Sequence, residues 1–225
     1  MYDELKYWYL RDHKLFWTLS MSQIKQLCII TGFKKANKGD IIYFSSSDLP
    51  RIYLLKKGNI KIVSVDEEGN ETIKEILQKG DLFGELSLEN DGDVNEYAKV
   101  LTDEVSICSF LLSDFEDLLV RNPSLALSYT KFLGLKMKRF KNNYSNLVSK
   151  DARTRLISFI KDWAEREGIQ EGKKYTISNY LTQTDIAQII CTSRQTATLL
   201  LNELEEKNLI YYNRKEIIID DISKL

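Results

Sequence analysis

The chain has 225 residues, room for two modest domains that each bury a core, and its 32 Lys and Arg nearly balance 33 Asp and Glu. With a net charge of −1, any nucleic-acid surface must come from local clustering rather than the overall balance. The longest apolar runs fall well short of a membrane span, the first residues lack an apolar leader with a cleavage site, and Cys28, Cys108 and Cys191 are too dispersed for a disulfide framework or metal cluster, so a cytoplasmic protein without membrane contact is expected.

In chain order, Ser20-x-x-Gln23 is a capping box that predicts a helix with Ile24, Leu27 and Cys28 on its inner side. From Gly32 to Phe110 short β-rich runs alternate with glycine turns. The turns are Lys38-Gly39-Asp40, Lys57-Gly58-Asn59, Glu68-Gly69-Asn70 and Lys79-Gly80-Asp81; the runs include 41–44, 52–55, 60–65 and 72–77. Many short strands with regular turns predict a jelly-roll or barrel, a shape that usually encloses or borders a small-molecule site. Ser113-x-x-Glu116 reads as the cap of a short helix. Asn122-Pro123 then opens a long one, with Asn122 as N-cap and Pro123 in the first turn.

Leu125, Tyr129, Leu133, Met137, Phe140, Tyr144 and Leu147 step along that helix by four, four, four, three, four and three, close to a coiled-coil seam. The seam reads as a homodimer interface; the alternative is that it packs on the barrel. It ends near Ser149-Lys150-Asp151, where a new amphipathic helix with Leu156, Ile157, Ile160 and Trp163 begins. The expected division is therefore 1–122, 123–150 and 151–225. Eight basic residues (Lys131, Lys136, Lys138, Arg139, Lys141, Lys150, Arg153, Arg155) face one acid, Asp151, between Lys131 and Arg155; most of them read as a solvated helix face.

Thr182-x-x-Asp185 is a second capping box, and Ile186, Ala187, Ile189 and Ile190 supply the buried side of the helix it opens. Cys191-Thr192-Ser193 reads as a turn, with Ser193 as N-cap of another helix whose apolar residues are Ala197, Leu200, Leu201 and Leu204. Ser193, Arg194, Gln195, Thr198 and Asn202 then fall where a major groove would be met. Arg suits guanine and Gln suits adenine. Spacing alone allows an ordinary helical hairpin equally well. The following segment, 209–212, a turn at Asn213-Arg214-Lys215, and 216–219, reads as a β-hairpin and completes a winged helix.

This order of parts resembles the Crp–Fnr superfamily of bacterial transcription regulators over nearly the whole chain. The resemblance rests on Gly80-Asp81-Leu82-Phe83-Gly84-Glu85-Leu86, similar to the effector-pocket signature, and on Ile186-Ala187-Gln188-Ile189 with Ser193-Arg194-Gln195-Thr196, similar to the helix-turn-helix signature. It implies an α+β protein: an N-terminal cyclic-nucleotide-binding-like β-roll, a long dimerisation helix and a C-terminal winged helix. It further implies double-stranded DNA, a second copy of the chain and RNA polymerase as partners. The implied DNA-binding residues are Thr182, Gln183, Ser193, Arg194, Gln195 and Thr198. The implied effector pocket takes Gly84, Glu85, Leu86, Glu96, Tyr97 and Phe140, and the implied seam Tyr129, Leu133, Met137, Phe140, Tyr144 and Leu147.

Departures narrow the effector. Cyclic-AMP-binding members carry an Arg-Ser pair before an Ala, whereas Glu96 and Tyr97 precede Ala98 here. A carboxylate opposite a cyclic phosphate is repulsive by a few kcal/mol at contact, on the order expected for like charges at moderate dielectric. Asp91 and Asp93 add to it, and Phe140 and Lys141 stand near the adenine-contacting Thr-Ser pair. Cyclic AMP is therefore not expected. Nor is an iron–sulfur cluster, since no cysteine cluster precedes Cys28, nor haem, since the one histidine, His13, reads as a surface residue. Cys191 stands where those relatives tend to have Gly. Left-handed geometry there would cost about 1–2 kcal/mol, which predicts a reshaped turn. Leu199 replaces a second base-reading Arg, shifting sequence preference to Arg194 and Gln195 with Leu199 against a thymine methyl.

An enzyme is not expected, because no P-loop, metal-ligand cluster or Ser/His or Cys/His pairing is present in the sequence. The alternative to a DNA-binding regulator is a ligand sensor whose C-terminal module meets a protein.

Overall fold

The computed structural model describes residues 10–30, 32–43, 50–84 and 96–225. The chain forms two compact units, Met1–Met137 and Lys138–Leu225, and one long helix runs across the division.

In the first unit, the Ser20–Gln23 box opens α1 (Met21–Ile30) as predicted: Ser20 N–H donates to Gln23 Oε1 at 2.7 Å and Gln23 N–H to Ser20 Oγ at 3.4 Å. Among the described residues eight strands follow: β1 (Gly32–Ala36), β2 (Ile41–Tyr43), β3 (Arg51–Lys57), β4 (Ile60–Val65), β5 (Glu71–Leu77), β6 (Leu82–Gly84), β7 (Glu96–Val100) and β8 (Val105–Leu111). All pairings are antiparallel, in two four-stranded sheets ordered β1-β8-β3-β6 and β2-β7-β4-β5, the expected β-roll. The predicted turn glycines Gly39, Gly58, Gly69 and Gly80 have φ of +90°, +81°, +85° and +93°. Of the predicted run 41–44, Phe44 lies outside the described residues.

Strand alternation divides the apolar residues between two cores. Along β8, Val105 and Ile107 join Leu55, Ile60, Ala98 and Val100 in a core drawn from both sheets. Cys108 and Phe110, on the other face, join Ile52, Leu54 and Leu82, with Phe16 and Leu27 from the N-terminal helical layer. Phe115 of α2 (Leu112–Arg121) and Leu125 of α3 (Pro123–Ser149) close that second core. Phe110 meets Phe115 at 6.2 Å and Phe115 meets Tyr129 edge-on at 5.4 Å, tying sheet, α2 and α3 together. Each such fully buried side chain contributes about 1.5–3 kcal/mol.

Two local expectations fail here, and a third holds in position only. Residue Leu111, with no side-chain cap bond, precedes α2; Ser113 lies inside the helix. Asn122 stands at the N-cap of α3 as expected, its carbonyl accepting from Leu125 and Ala126 N–H and Pro123 first in the helix, but its side chain does not close that end. Its Nδ2 donates to Leu118 O at 2.8 Å and its Oδ1 accepts from Gln23, so the amide finishes α2 and ties it to α1. His13 is half-buried rather than free at the surface: its Nε2 meets Gly80 O at 2.9 Å and its Nδ1 accepts from Leu15 N–H at 3.2 Å.

In the second unit, Asp151 caps α4 (Ala152–Glu167) by accepting from Thr154 N–H at 2.7 Å, which holds its carboxyl below the ordinary value. A short hairpin, β9 (Ile169–Glu171) and β10 (Lys174–Ser178), follows; it turns at Gly172 (φ +64°) and was not predicted. Then come α5 (Gln183–Ile189), α6 (Arg194–Glu206), β11 (Tyr211–Tyr212) and β12 (Glu216–Ile219). The sheet order β11-β12-β10-β9 adds the unforeseen hairpin to the predicted wing. The core is Leu156, Ile160 and Trp163 of α4, Ile186 and Ala187 of α5, Ala197, Leu201 and Leu204 of α6, and Ile217 and Ile219 of β12.

Candidate nucleic-acid interface

Two short helices and their turn are fixed by side-chain caps at each start. Thr182 and Asp185 complete a reciprocal box: Asp185 N–H donates to Thr182 Oγ1 at 3.1 Å, and Thr182 N–H and Oγ1 donate to Asp185 Oδ2 at 2.9 and 2.7 Å. Thr182 thus spends its hydroxyl proton within the box, and its role in this geometry is to shape the helix start. Ser193 Oγ accepts from Thr196 N–H at 3.1 Å and caps α6. Of the four predicted apolar residues of α5, Ile189 is only half-buried.

The turn between them keeps left-handed geometry instead of reshaping. Cys191 has φ +51°, its N–H donates to Gln188 O at 3.0 Å, and Thr192 N–H donates to Ala187 O at 2.9 Å. These two bonds form a Schellman closure with a cysteine at the position that favours glycine. The closure is braced by Arg155, whose Nε donates to Ile190 O at 2.8 Å and Nη2 to Cys191 O at 3.2 Å. Arg155 Nη1 also donates to Lys150 O, just past the end of α3, at 2.6 Å.

With one side of α6 buried through Ala197, Leu200, Leu201 and Leu204, its other side presents exposed Arg194, Gln195 and Asn202. One open concave surface is lined by Gln183, Ser193, Arg194, Gln195, Thr198, Leu199 and Asn202. The structure therefore brings the sequence-predicted reading residues together, Leu199 and Asn202 included, apart from Thr182. Thr198 Oγ1 lies 2.9 Å from both Gln183 Oε1 and Arg194 O, so it stitches the first residue of α5 to the first turn of α6. Arg194 guanidinium and Gln195 amide at a helix start are the groups that form bidentate contacts with guanine and adenine edges.

The wing is anchored by Asn179, which sequence reasoning missed. Its Nδ2 donates to Asn213 O at 2.7 Å and its N–H to Lys215 O at 2.8 Å, while its Oδ1 accepts from Leu181 N–H at 3.2 Å. An Asn two residues before an apolar helix entry was the available signal. Arg155 gave none, since it read as one of a run of cations. Besides Arg155, three of the eight cations in that run are engaged elsewhere, while Lys131, Lys138, Arg139 and Lys141 are exposed. Lys136 pairs with Glu75 at 3.4 Å and donates to Leu82 O at 3.1 Å; Lys150 donates to Ser158 Oγ at 3.2 Å; Arg153 pairs with Glu203 at 3.5 Å.

The expected effector residues are only partly placed. Gly84 ends β6 at φ +102°, and a Cβ there would stand 2.5 Å from Arg51 O and 2.8 Å from the Tyr53 ring, so no other residue fits. Glu96 opens β7 and forms an ion pair with Lys74; Tyr97 beside it is buried. Phe140 lies in the second unit and is exposed. Glu85, Leu86, Asp91 and Asp93 lie outside the described residues.

Along α3, Tyr129 packs against Phe115, and that burial pushes its phenol pKa up. Beyond it Leu133, Met137, Phe140, Tyr144 and Leu147 are 40, 56, 66, 62 and 42% exposed. No helix among the described residues is long and apolar enough to cross a membrane.

Comparison with known proteins agrees with this geometry. The family model for a cyclic nucleotide-binding domain matches residues 33–122, and that for a Crp-like helix-turn-helix domain matches residues 154–225. The global nitrogen regulator of Nostoc sp. is 30% identical over 180 residues, 79% of this chain and 80% of that protein. The CRP-like cAMP-activated global transcriptional regulator of Mycobacterium tuberculosis is 27% identical over 188 residues, 84% of each chain. In fold, the chain is similar to FixK2 from Bradyrhizobium japonicum, with a TM-score of 0.73 at 15% identity over 87% of this chain and 95% of that one. It is also similar to a CooA mutant from Carboxydothermus hydrogenoformans, with a TM-score of 0.72 at 23% identity over 96% of this chain and 95% of that one. The two sequence relatives are regulators by name, and the two solved structures share the fold. A roll, a long helix and a capped helix-turn-helix with its wing, matched in both parts by these families, place the chain in the Crp–Fnr superfamily of DNA-binding transcription regulators, not among enzymes.

Proposed function

We propose that the protein is a cytoplasmic homodimer that reads a roughly palindromic duplex site. Arg194 and Gln195 make the principal base contacts, with Gln183, Ser193 and Thr198 shaping the same face. The observation that carries this reading is the exposed Arg194–Gln195 start of a helix whose opposite side is wholly buried. Dimerisation is supported by the exposed residues Leu133, Met137, Phe140, Tyr144 and Leu147, which step by four, three, four and three. That is the heptad spacing two α3 helices need to interlock, and a two-fold axis would set two recognition helices about one DNA turn apart. Once bound, the dimer meets RNA polymerase.

We further propose that cyclic AMP is not the effector, and that neither haem nor an iron–sulfur cluster serves the domain. What supports the first point is the chemistry of β7: it presents the Glu96 carboxylate, already paired with Lys74, where cyclic-AMP-binding relatives present a guanidinium. A cyclic phosphate brought there would have to displace that pairing against like charge.

Selection from random duplexes by the purified protein tests the reading. Enrichment of a palindrome, lost in Arg194→Ala while sedimentation still gives a dimer, supports it. An unchanged selection in Arg194→Ala, or none at all, favours instead a C-terminal module that binds protein. Millimolar cyclic AMP is expected to leave the operator Kd unchanged; a tightening of tenfold or more would overturn the effector proposal.

A further inference from the structure

One side chain in the second unit is engaged in a way neither packing nor base reading requires. Arg155, in the first turn of α4, directs three guanidinium N–H groups at three backbone carbonyls. Two, Ile190 O and Cys191 O, close the turn that launches the recognition helix, at 2.8 and 3.2 Å. The third, Lys150 O at 2.6 Å, belongs to the single residue between the end of α3 and the Asp151 cap of α4. Carbonyls at helix ends have no partner within their own helix, and a guanidinium there also meets the negative end of the helix dipole. Its planar fork, fixed and always charged, holds several acceptors in one orientation, which a lysine ammonium cannot do.

The turn needs holding. Cys191 is left-handed at φ +51°, a conformation that disfavours a side-chain-bearing residue, and the next described residue but one, Ser193, must cap α6. A relaxation of Cys191 would rotate Ser193 and, with it, the Arg194–Gln195 start of the reading helix.

We propose that Arg155 is a positioning residue: it locks the left-handed helix-turn-helix turn to the end of the long helix and so fixes the angle at which Arg194 and Gln195 meet DNA. This rests on the DNA-reading function proposed above and names how the same site is held and reached from α3. Arg155 itself touches no base.

The test uses the full-length protein, its selected operator, and a non-specific duplex of equal length at one salt concentration. Arg155→Lys keeps the charge and most of the length but not the fork. It is expected to weaken operator binding at least tenfold while non-specific binding, set by phosphate contacts, stays within about twofold. Cys191→Gly, which accepts the left-handed conformation without bracing, is expected to recover a substantial part of that loss in the Arg155→Lys background, and to change little alone. Hydrogen exchange at the Cys191 and Thr192 amides should quicken in Arg155→Lys and slow again in the double variant. Unchanged operator affinity in Arg155→Lys overturns the proposal, as do equal losses on both duplexes or a loss that Cys191→Gly leaves untouched. Absence of any selected operator for the unaltered protein sinks the DNA reading itself, before Arg155 is at issue.

Discussion

The recognition face of the second unit and the glycine-signature region of the first treat their polar side chains in opposite ways. On α6 and its flanks the structural bonds are made by the Ser193 cap, by Arg153 to Glu203, by Arg155 at the preceding turn and by Asn179 at the wing, and Arg194, Gln195 and Asn202 are left exposed. Around β5 to β7 the charged groups bind one another: Lys74 with Glu96, and Lys136 with Glu75 and Leu82 O. A surface that must meet a large polyanion keeps donors facing water on a rigid frame, where desolvation on binding is shared over many contacts. A roll whose ionic groups are already paired has fewer left to offer a small charged effector. The difference is one of use: donors are left open on the reading helix and are engaged in ion pairs on the roll.

The largest expected effect tests whether the two units are energetically separate. Leu204 is fully buried on α6, and Leu204→Ala should cost about 2–5 kcal/mol through lost burial and a cavity. In calorimetry this should lower the transition of the second unit and leave that of the first in place. A single transition moving as a whole would show that the units share one cooperative fold and would break the comparison. Thr182→Ala should cost about 1–2 kcal/mol, because it leaves the Asp185 N–H without its cap acceptor and the buried Asp185 carboxylate short of one hydrogen bond. Thr182→Ser should retain most of that stability in the same denaturant titration, which separates the cap from any direct role at DNA.

Leu199 sharpens the comparison on the reading face. It is 60% exposed beside Arg194, Gln195 and Thr198, four residues after Gln195 and so on the same side of α6. Burying one methyl contributes about 0.8 kcal/mol, roughly fourfold in Kd. Replacing thymine by uracil across a selected half-site should therefore weaken binding about fourfold at one position, and Leu199→Ala should erase that difference. No sensitive thymine, or a sensitivity that persists in Leu199→Ala, would assign the contact elsewhere.

How much of this was legible in the sequence follows from how local each signal is. The Ser20–Gln23 and Thr182–Asp185 boxes, the Ser193 cap, the four glycine turns and the wing hairpin are short-range patterns, and the structure realises each of them. Asn122 holds its expected position, but its amide is taken by distant Gln23 and by Leu118 O at the end of α2, and the Ser113 cap failed because α2 begins directly from β8. Arg155 and Asn179 bond residues 34 to 36 positions away as well as near ones, and no spacing rule reports such pairs. Cys191 shows the same limit from the other side. Its strain was predicted to reshape the turn, and a distant guanidinium keeps the turn as it is.

The smallest effect concerns the first unit alone and its one histidine. His13 accepts from Leu15 N–H through Nδ1, so the proton sits on Nε2 and is donated to Gly80 O; the ring is neutral in this arrangement. Burial lowers its pKa below 6.5, outweighing the Gly80 bond and Asp81, which raise it, and Lys14 adds a smaller lowering. Since the folded pKa is the lower one, the unfolded chain binds a proton the folded chain does not in the window between that pKa and about 6.5. The stabilisation is therefore complete above about pH 6.5 and is lost as pH falls below it, the reverse of a histidine that gains a carboxylate partner. His13→Gln, which can still donate to Gly80 O, should be somewhat less stable near neutrality and lose less between about pH 7 and pH 5.5 in denaturant titrations of the first unit. Carboxylates titrate alike in both proteins and cancel in the difference. Equal slopes would mean that His13 exchanges its Leu15 bond for water on protonation at no cost; a steeper slope in the variant would place the pH sensitivity of the roll on another group.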